Sequence, residues 1–261
     1  MIPDYHIHTA RCKHASGAME EYVQQAVKIG LNEIAFTDHI PLPNGFDTAH
    51  RMLPEEMDAY LKEIEHLQET YPQIKILRGI EADFYDGFEA YLSDFLNQYK
   101  FDLIIMSVHF IKDWPEGNWA FSYSFPDKFL TEIYNDYLEA LLRGIRTGLF
   151  NIIGHLDLVK SAGQPLLQEN SALVKQILLE AKKQNMAIEI NSSGLRRKIK
   201  EPYPDYSFLP LIAESGLPVT LGSDAHEPQH VGFSFPEIEE HLSAFPMINM
   251  ARFRAGKMQL Y

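Results

Sequence analysis

Short apolar runs alternate along the chain with longer amphipathic stretches. Strand-length runs lie near residues 2–8, 33–38, 74–81, 102–109, 151–155, 187–191 and 218–223. Helical periodicity fills the intervals near 18–29, 54–70, 87–99, 126–146, 169–184 and 205–215, and again near 235–245 after the last strand. This alternation is the pattern of repeated βα units, whose strands lie parallel in one sheet. Boundary residues agree with it. Gly30 can take the left-handed position after Ala26-Val27-Lys28-Ile29, Pro54 suits a first helical turn, and Gly148 closes a helix ending in Arg143 and Arg146. Seven units predict an α/β fold of the TIM-like (β/α) barrel type, one strand short of the standard eight, so the barrel should be open or distorted. The connections after strands two, four, five and six are long, and in such barrels loops at that face carry function.

With 261 residues and 46% hydrophobic content, the chain can bury one barrel core or two smaller domains. No Ser/Gly-rich, charged or low-complexity linker interrupts it, and no fixed-period repeat appears, so a single domain over 1–261 is expected. A formal charge of −13 argues against a surface built to track nucleic-acid phosphates or anionic lipid. An anionic substrate remains compatible if the site is locally positive. One cysteine, Cys12, excludes an internal disulfide. The start Met-Ile-Pro-Asp lacks a basic region followed by an apolar one, and no run approaches the roughly 18 apolar residues of a membrane span. A soluble cytoplasmic protein is the expectation.

Chemistry concentrates where the apolar runs end: at His6 and His8, His39, Glu81, His109, His155, and Asp224 with His226. In a parallel barrel these side chains meet at one mouth, and such a set commonly holds several transition-metal ions. His6 and His8 are two residues apart on a strand and face the same way, as are Asp224 and His226. Glu81 has two oxygens and can bridge ions, which an imidazole cannot. Gly79 lets its strand come close to its neighbours. A hydrogen-bonded core histidine explains any one of these residues, but not the whole set, because each would need separate satisfaction. Rival chemistries lack their motifs: the chain has no Gly-x-Ser-x-Gly elbow, P-loop or Gly-x-Gly-x-x-Gly, and Cys12 reads as a small buried hydrophobe.

The ordered set Asp4-x-His6-x-His8-Thr9, His14, Thr37-Asp38-His39, Glu81-Ala82-Asp83, Ser107-Val108-His109, Gly154-His155-Leu156-Asp157 and Gly222-Ser223-Asp224-Ala225-His226 resembles the polymerase-and-histidinol-phosphatase (PHP) family. Within that family it is most similar to the histidinol phosphate phosphatases. The resemblance implies a distorted seven-stranded βα barrel with three divalent ions of zinc, manganese or iron at the strand ends. One ion would be held by His6, His8, Glu81 and Asp224, a second by Glu81, His109 and His155, and a third by His14, His39 and His226. Seven neutral imidazoles and two carboxylates carry −2, so three divalent ions would leave about +4 in an otherwise acidic protein.

The implied reaction is hydrolysis of a small phosphomonoester, L-histidinol phosphate, in histidine biosynthesis, by attack of a metal-bridging hydroxide on phosphorus. Asp38 would orient an imidazole or take a proton, Arg197 would grip the phosphate, and Lys160 is a weaker candidate for the same task. The stretch Phe110–Phe125 reads as a lid or as a loop pinned by its own aromatics, and Trp114, Glu116, Trp119 and Tyr123 on it could read the rest of the substrate. His50, His66, His230 and His241 fall outside the strand ends and read as surface residues. Two alternatives stand beside this reading: a phosphoesterase of the same family acting on nucleotides or phosphotyrosine, and a metal-binding accessory domain without catalysis. The complete ligand set speaks against the second. Amidohydrolase barrels also begin with His-x-His but favour a carboxylated lysine bridge, and here that slot holds Glu81.

Overall fold

The computed structural model describes residues 3–115, 118–125, 127–162 and 170–261. All seven expected strands form: β1 (Asp4–Ile7), β2 (Glu33–Phe36), β3 (Lys75–Asp83), β4 (Leu103–Ser107), β5 (Ile152–Ile153), β6 (Ala187–Asn191) and β7 (Val219–Gly222). Each pairs in parallel with the next, and β7 returns to β1 through Asp4 and Leu221, so the barrel is closed rather than open. Distortion replaces the missing strand. The β1–β2 register shifts between Asp4 and Ile7, β5 has two residues, and single bridges prolong the sheet at Ile7–Ala225 and His39–Glu81.

The seven main helices pack outside: α1 (Met19–Lys28), α2 (Met57–Thr70), α3 (Glu89–Gln98), α4 (Leu130–Arg146), α5 (Ser171–Lys183), α7 (Leu209–Ser215) and α8 (Phe235–Ser243). One turn of helix, α6 (Ser193–Arg196), follows β6 directly and has no counterpart in the sequence pattern. α4 shows how the outer layer is made. Its periodic face of Ile133, Tyr134, Tyr137, Leu138, Leu141 and Ile145 is buried, while Arg143 and Arg146 occupy the last turn, where cations suit the helix dipole. No helix among the described residues is long and apolar enough to cross a membrane.

Two-residue periodicity divides the barrel interior by depth. Leu77 lies four residues below Glu81 on β3, Ile105 four below His109 on the β4 line, and Ala187 two below Glu189 on β6. These apolar residues join Tyr5, Ala35, Leu103 and Ile152 in one cluster beneath the polar mouth. An antiparallel hairpin absent from the expectations, β8 (Ala251–Arg254) with β9 (Lys257–Leu260), closes the opposite end. Phe253 is fully buried with its ring edge on Tyr5, and Ala255 and Gly256 donate backbone bonds to Asp102 at the base of β4. With that end sealed, the polar mouth is the accessible end of the barrel.

Candidate metal centre

Glu81 lies at the middle of the mouth, fully buried. Gly79 sets its height, since a Cβ there would stand 2.5 Å from Thr37 Cγ2 and 2.8 Å from the Phe36 carbonyl. Glu81 Oε2 is 3.4 Å from His6 Nε2, 3.5 Å from His8 Nε2 and 2.8 Å from His39 Nδ1. Its Oε1 is 3.1 Å from His155 Nε2 and 3.8 Å from His109 Nε2, and accepts a 2.5 Å bond from Ser107 Oγ. Asp224 Oδ1 lies 3.2 Å from His8 Nε2 and 3.9 Å from His6 Nε2. Ligand-type atoms therefore gather among the described residues into five overlapping sets near Glu81, three of which match the expected ones: His6, His8 and Glu81; Glu81, His109 and His155; His14, His39 and His226. The other two are His8, Cys12 and His226, and His39, Asp83 and His109.

Several of these atoms are buried and unsatisfied. His6 Nε2, both nitrogens of His8, His39 Nδ1 and Glu81 Oε2 make no well-aligned hydrogen bond, although His39 Nδ1 and Glu81 Oε2 lie 2.8 Å apart. Such groups cost free energy unless something electropositive sits among them. The pair His14 and His226 makes the same point. His14 Nδ1 donates to the Cys12 carbonyl at 2.7 Å and His226 Nδ1 to the Asp224 carbonyl at 3.0 Å, which leaves each Nε2 with a lone pair. These two Nε2 atoms face each other at 2.9 Å, a contact that needs a proton or a metal ion between them. The donor set, imidazole nitrogens with carboxylate oxygens, suits zinc, manganese or iron, so the mouth is a metal-binding cluster.

Behind the imidazoles stand three buried carboxylates. Glu189 Oε1 accepts from His6 Nδ1 at 2.7 Å, while its Oε2 accepts from the His155 amide and from Asn191. Asp83 Oδ1 accepts from both the ring Nδ1 and the backbone N–H of His109. Asp38 accepts from the His39 amide and from Thr9, with His8 Nδ1 3.5 Å away. Glu189 and Asp83 each fix a ring with its other nitrogen toward the centre, while Asp38 faces His8 as a charge. The sequence reading quoted Asp83 within a motif without giving it a role, and it did not single out Glu189 on the sixth strand, whose end it linked to phosphate binding through Arg197. Period-two placement of Glu189 with Asn191 on a strand was the available signal. Asp38, expected to orient an imidazole or take a proton, is buried beside His8 and lies outside the cavity lining.

Charge balance is set by these contacts. Burial works against protonating His6, but Glu189, Glu81 and Asp224 outweigh it and hold the imidazole well above its usual range; Asp224, Asp38 and Cys12 do the same for His8. Burial, aided by His8 and only partly offset by Glu81, pushes His39 down to about 4. The surrounding carboxylates thus favour the protonated imidazoles of His6 and His8 in metal-free protein, as Asp83 does for His109, and an ion must compete with those protons. Zinc loading at pH 7 should release protons, and apparent affinity should rise with pH. Calorimetry in buffers of different ionisation enthalpy measures this, and loading without proton release would show that His6 and His8 do not ligate. Backbone strain marks the same residues: His155 (φ 22°) and Asp224 (φ 52°) occupy the left-handed region, at a cost on the order of 1–3 kcal/mol each.

The cluster opens into a cavity of about 550 Å³. Arg196 and Arg197 form one wall, and Trp119, Phe121 and His50 another. Arg196 is held by bonds from Nη2 to the Ser223 and Asp224 carbonyls, with Nη1 unpartnered, whereas Arg197 is exposed and stacks at 6.0 Å over Phe121. The sequence reading singled out Arg197 and missed Arg196. Lys160 is not at the cavity, because its ammonium is buried against Asp157 at 2.9 Å and the Pro202 carbonyl at 2.7 Å. Trp114 also turns away, donating to Asp136 and packing on Phe125, and Tyr123 packs against it. Glu116 lies outside the described residues. Among its described residues the loop packs on its own aromatics, with Phe110 on Trp119 at 4.2 Å, and Trp119, Phe121 and Ser122 line the cavity. His50 and His230, read as surface residues, line the cavity too, while His66 and His241 are exposed as expected.

Comparisons with known proteins agree with this geometry. The model of the PHP domain matches residues 4–193. A probable histidinol-phosphatase of Deinococcus radiodurans is 36% identical over 235 residues, covering 90% of both chains. The histidinol-phosphatase of Bacillus subtilis is 29% identical over 260 residues, 89% of this chain and 96% of that one. The crystal structure of histidinol phosphate phosphatase from Lactococcus lactis, complexed with zinc, L-histidinol and phosphate, superposes with a TM-score of 0.84 at 25% identity, over 99% of this chain and 98% of that one. Since the family match spans six of the seven barrel strands and the likeness in fold spans nearly the whole chain, the protein belongs to the PHP domain family.

Proposed function

We propose that the protein is a metal-dependent phosphomonoesterase that hydrolyses L-histidinol phosphate to L-histidinol and phosphate in the cytoplasm. The observation that carries this reading is the group of buried, unsatisfied ligand atoms around Glu81 at the head of a cavity walled by two arginines. Three divalent ions fit the donors: His6, His8, Glu81 and Asp224 for one, Glu81, His109 and His155 for the next, and His14, His39 and His226 for the third. Zinc is the first choice, since the Lactococcus lactis phosphatase is complexed with it. When bound, such ions supply Lewis-acid polarisation of phosphate oxygens and an activated water near neutral pH.

The chain's own residues do the rest. Arg196, fixed by two carbonyls, lines the cavity and places its positive charge beside a bound phosphate, and Arg197 closes from the rim. Trp119, Phe121 and His50 offer an aromatic wall to the organic part of the substrate. Its cationic amine also suits an acidic protein better than a polyanionic nucleotide does.

Turnover of L-histidinol phosphate, p-nitrophenyl phosphate and AMP, with metal analysis of the same sample, tests the reading. L-Histidinol phosphate should lead in kcat/KM by at least about a hundredfold, because polar groups left unpaired by the wrong ligand cost several kcal/mol. Equal rates would favour a general or nucleotide phosphatase, and full activity without metal would end the proposal. Arg196→Met should lower kcat/KM by about a hundredfold and Arg197→Met by about tenfold, both with wild-type zinc content, as expected for charge-assisted bonds of roughly 1.5–3 kcal/mol. The reverse order would make Arg197 the principal grip.

A further inference from the structure

Arg51 is the largest fully buried side chain among the described residues, 2% exposed, and belongs to no strand or helix. A guanidinium in such a place requires partners for each of its nitrogens. It has them: Nε and Nη2 reach Asp47 Oδ2 at 3.1 and 2.9 Å, Nη2 also reaches Asp83 Oδ2 at 3.0 Å, and Nη1 bonds the Ile40 carbonyl at 3.0 Å. On one side, Asp83 passes the contact to His109, whose ring it holds at 2.8 Å. On the other, Asp47 Oδ1 holds His50 Nδ1 at 2.6 Å, and the His50 ring stands edge-on to Trp119 at 4.8 Å.

A single chain of ionic hydrogen bonds therefore runs from the aromatic cavity wall to a ligand-type imidazole. Of the three carboxylates behind the imidazoles, Asp83 is the one whose second oxygen is held by a cation. Glu189 and Asp38 are held there by neutral amide and hydroxyl donors. Asp83 consequently depends on the loop between β2 and α2 in a way the other two do not.

We infer that Arg51 is a positioning residue that makes filling of the Glu81–His109–His155 position and formation of the His50–Trp119 wall one coupled event. The inference rests on the metal reading above, and it goes further by assigning communication between that ion and the substrate wall. Its physical basis is mutual dependence. Without Arg51, Asp83 loses the donor that fixes its plane and so releases His109, and Asp47 loses the anchor that holds His50 against Trp119.

The chain has two tryptophans, so Trp114→Phe leaves Trp119 as the sole reporter. In that background, adding zinc to metal-free protein should change Trp119 emission as zinc binds. Arg51→Gln should weaken one zinc equivalent by about ten- to a hundredfold in chelator competition and abolish the emission response. Asp47→Asn cuts the chain on the loop side alone. It should keep zinc affinity within about threefold, lose the Trp119 response and raise KM more than it lowers kcat, a split that general destabilisation would not give. If Arg51→Gln does not fold, Arg51→Lys replaces it, and its point charge, unable to span both carboxylates, should show the same losses at smaller size. Wild-type zinc affinity together with a wild-type Trp119 response in the Arg51 variant would overturn the coupling. A parent protein that binds no zinc would overturn the metal reading itself.

Discussion

Exchanging Glu81 for glutamine should lower kcat/KM by at least about a thousandfold and strip zinc from more than one position, since uncompensating a buried charge costs roughly 3–5 kcal/mol. The substitution keeps shape and volume and alters only charge and donor pattern. Its effect is large because five imidazoles lie within 3.8 Å of the two carboxylate oxygens. An amide would direct N–H donors at nitrogens and ions that need an acceptor. The carboxylate is ionised to begin with: burial raises its pKa, but His39, His6, His109 and His155 overcome this and hold it well below the usual range. The comparison is with His155→Gln and His109→Gln, each of which removes a donor from one set only. Inorganic mass spectrometry on all three variants settles the order. Equal zinc loss in the Glu81 and single-histidine variants would show that Glu81 does not bridge.

A second large loss should come from one methyl group. In Gly222→Ala the new Cβ would stand 1.9 Å from Glu189 Oε1 and 2.7 Å from His6 Cβ, so the carboxylate must move. Overpacking of this kind costs typically about 1–3 kcal/mol of stability, which the barrel should survive. The site should not, because moving Glu189 removes the acceptor of His6 Nδ1 and of the strained His155 amide at once. Zinc affinity is expected to fall by about ten- to a hundredfold, the usual effect of losing a partner behind a ligand, with activity falling in parallel. Circular dichroism separates folding from function, and chelator competition gives the affinity. Restoring space with Gly222→Ala/Glu189→Ala should not restore zinc binding, since the carboxylate itself is needed. Wild-type zinc content in Gly222→Ala would remove Glu189 from the site.

Much of the architecture was readable because strand and helix periods are local properties. The runs ending at His8, His39, Glu81, His109, His155 and Asp224 each became a barrel strand with its polar end at one mouth. The hairpin at Ala251–Leu260 was not read, although Ala251-Arg252-Phe253-Arg254 alternates and Gly256 follows. Four-residue strands carry little periodic signal, and this pair is fixed by Asp102 and Tyr5, about 150 and 250 residues distant in sequence.

The sequence by itself determined which residue types lie at the barrel mouth, because a strand's alternation and its end are encoded in neighbouring residues. Only the tertiary structure decided how they are held and what faces the cavity. His6 meets Glu189 across 183 positions, and Arg51 meets Asp83 across 32, so neither pairing leaves a mark in local spacing. Among the cations, Lys160 and Arg196 look equivalent as letters. A buried carboxylate and a carbonyl claim the first, while the single turn of α6 turns the second into the cavity beside Asp224. That choice follows from the pairing of β6 with β7, which sets α6 beside the Ser223 and Asp224 carbonyls and leaves one guanidinium nitrogen without a partner.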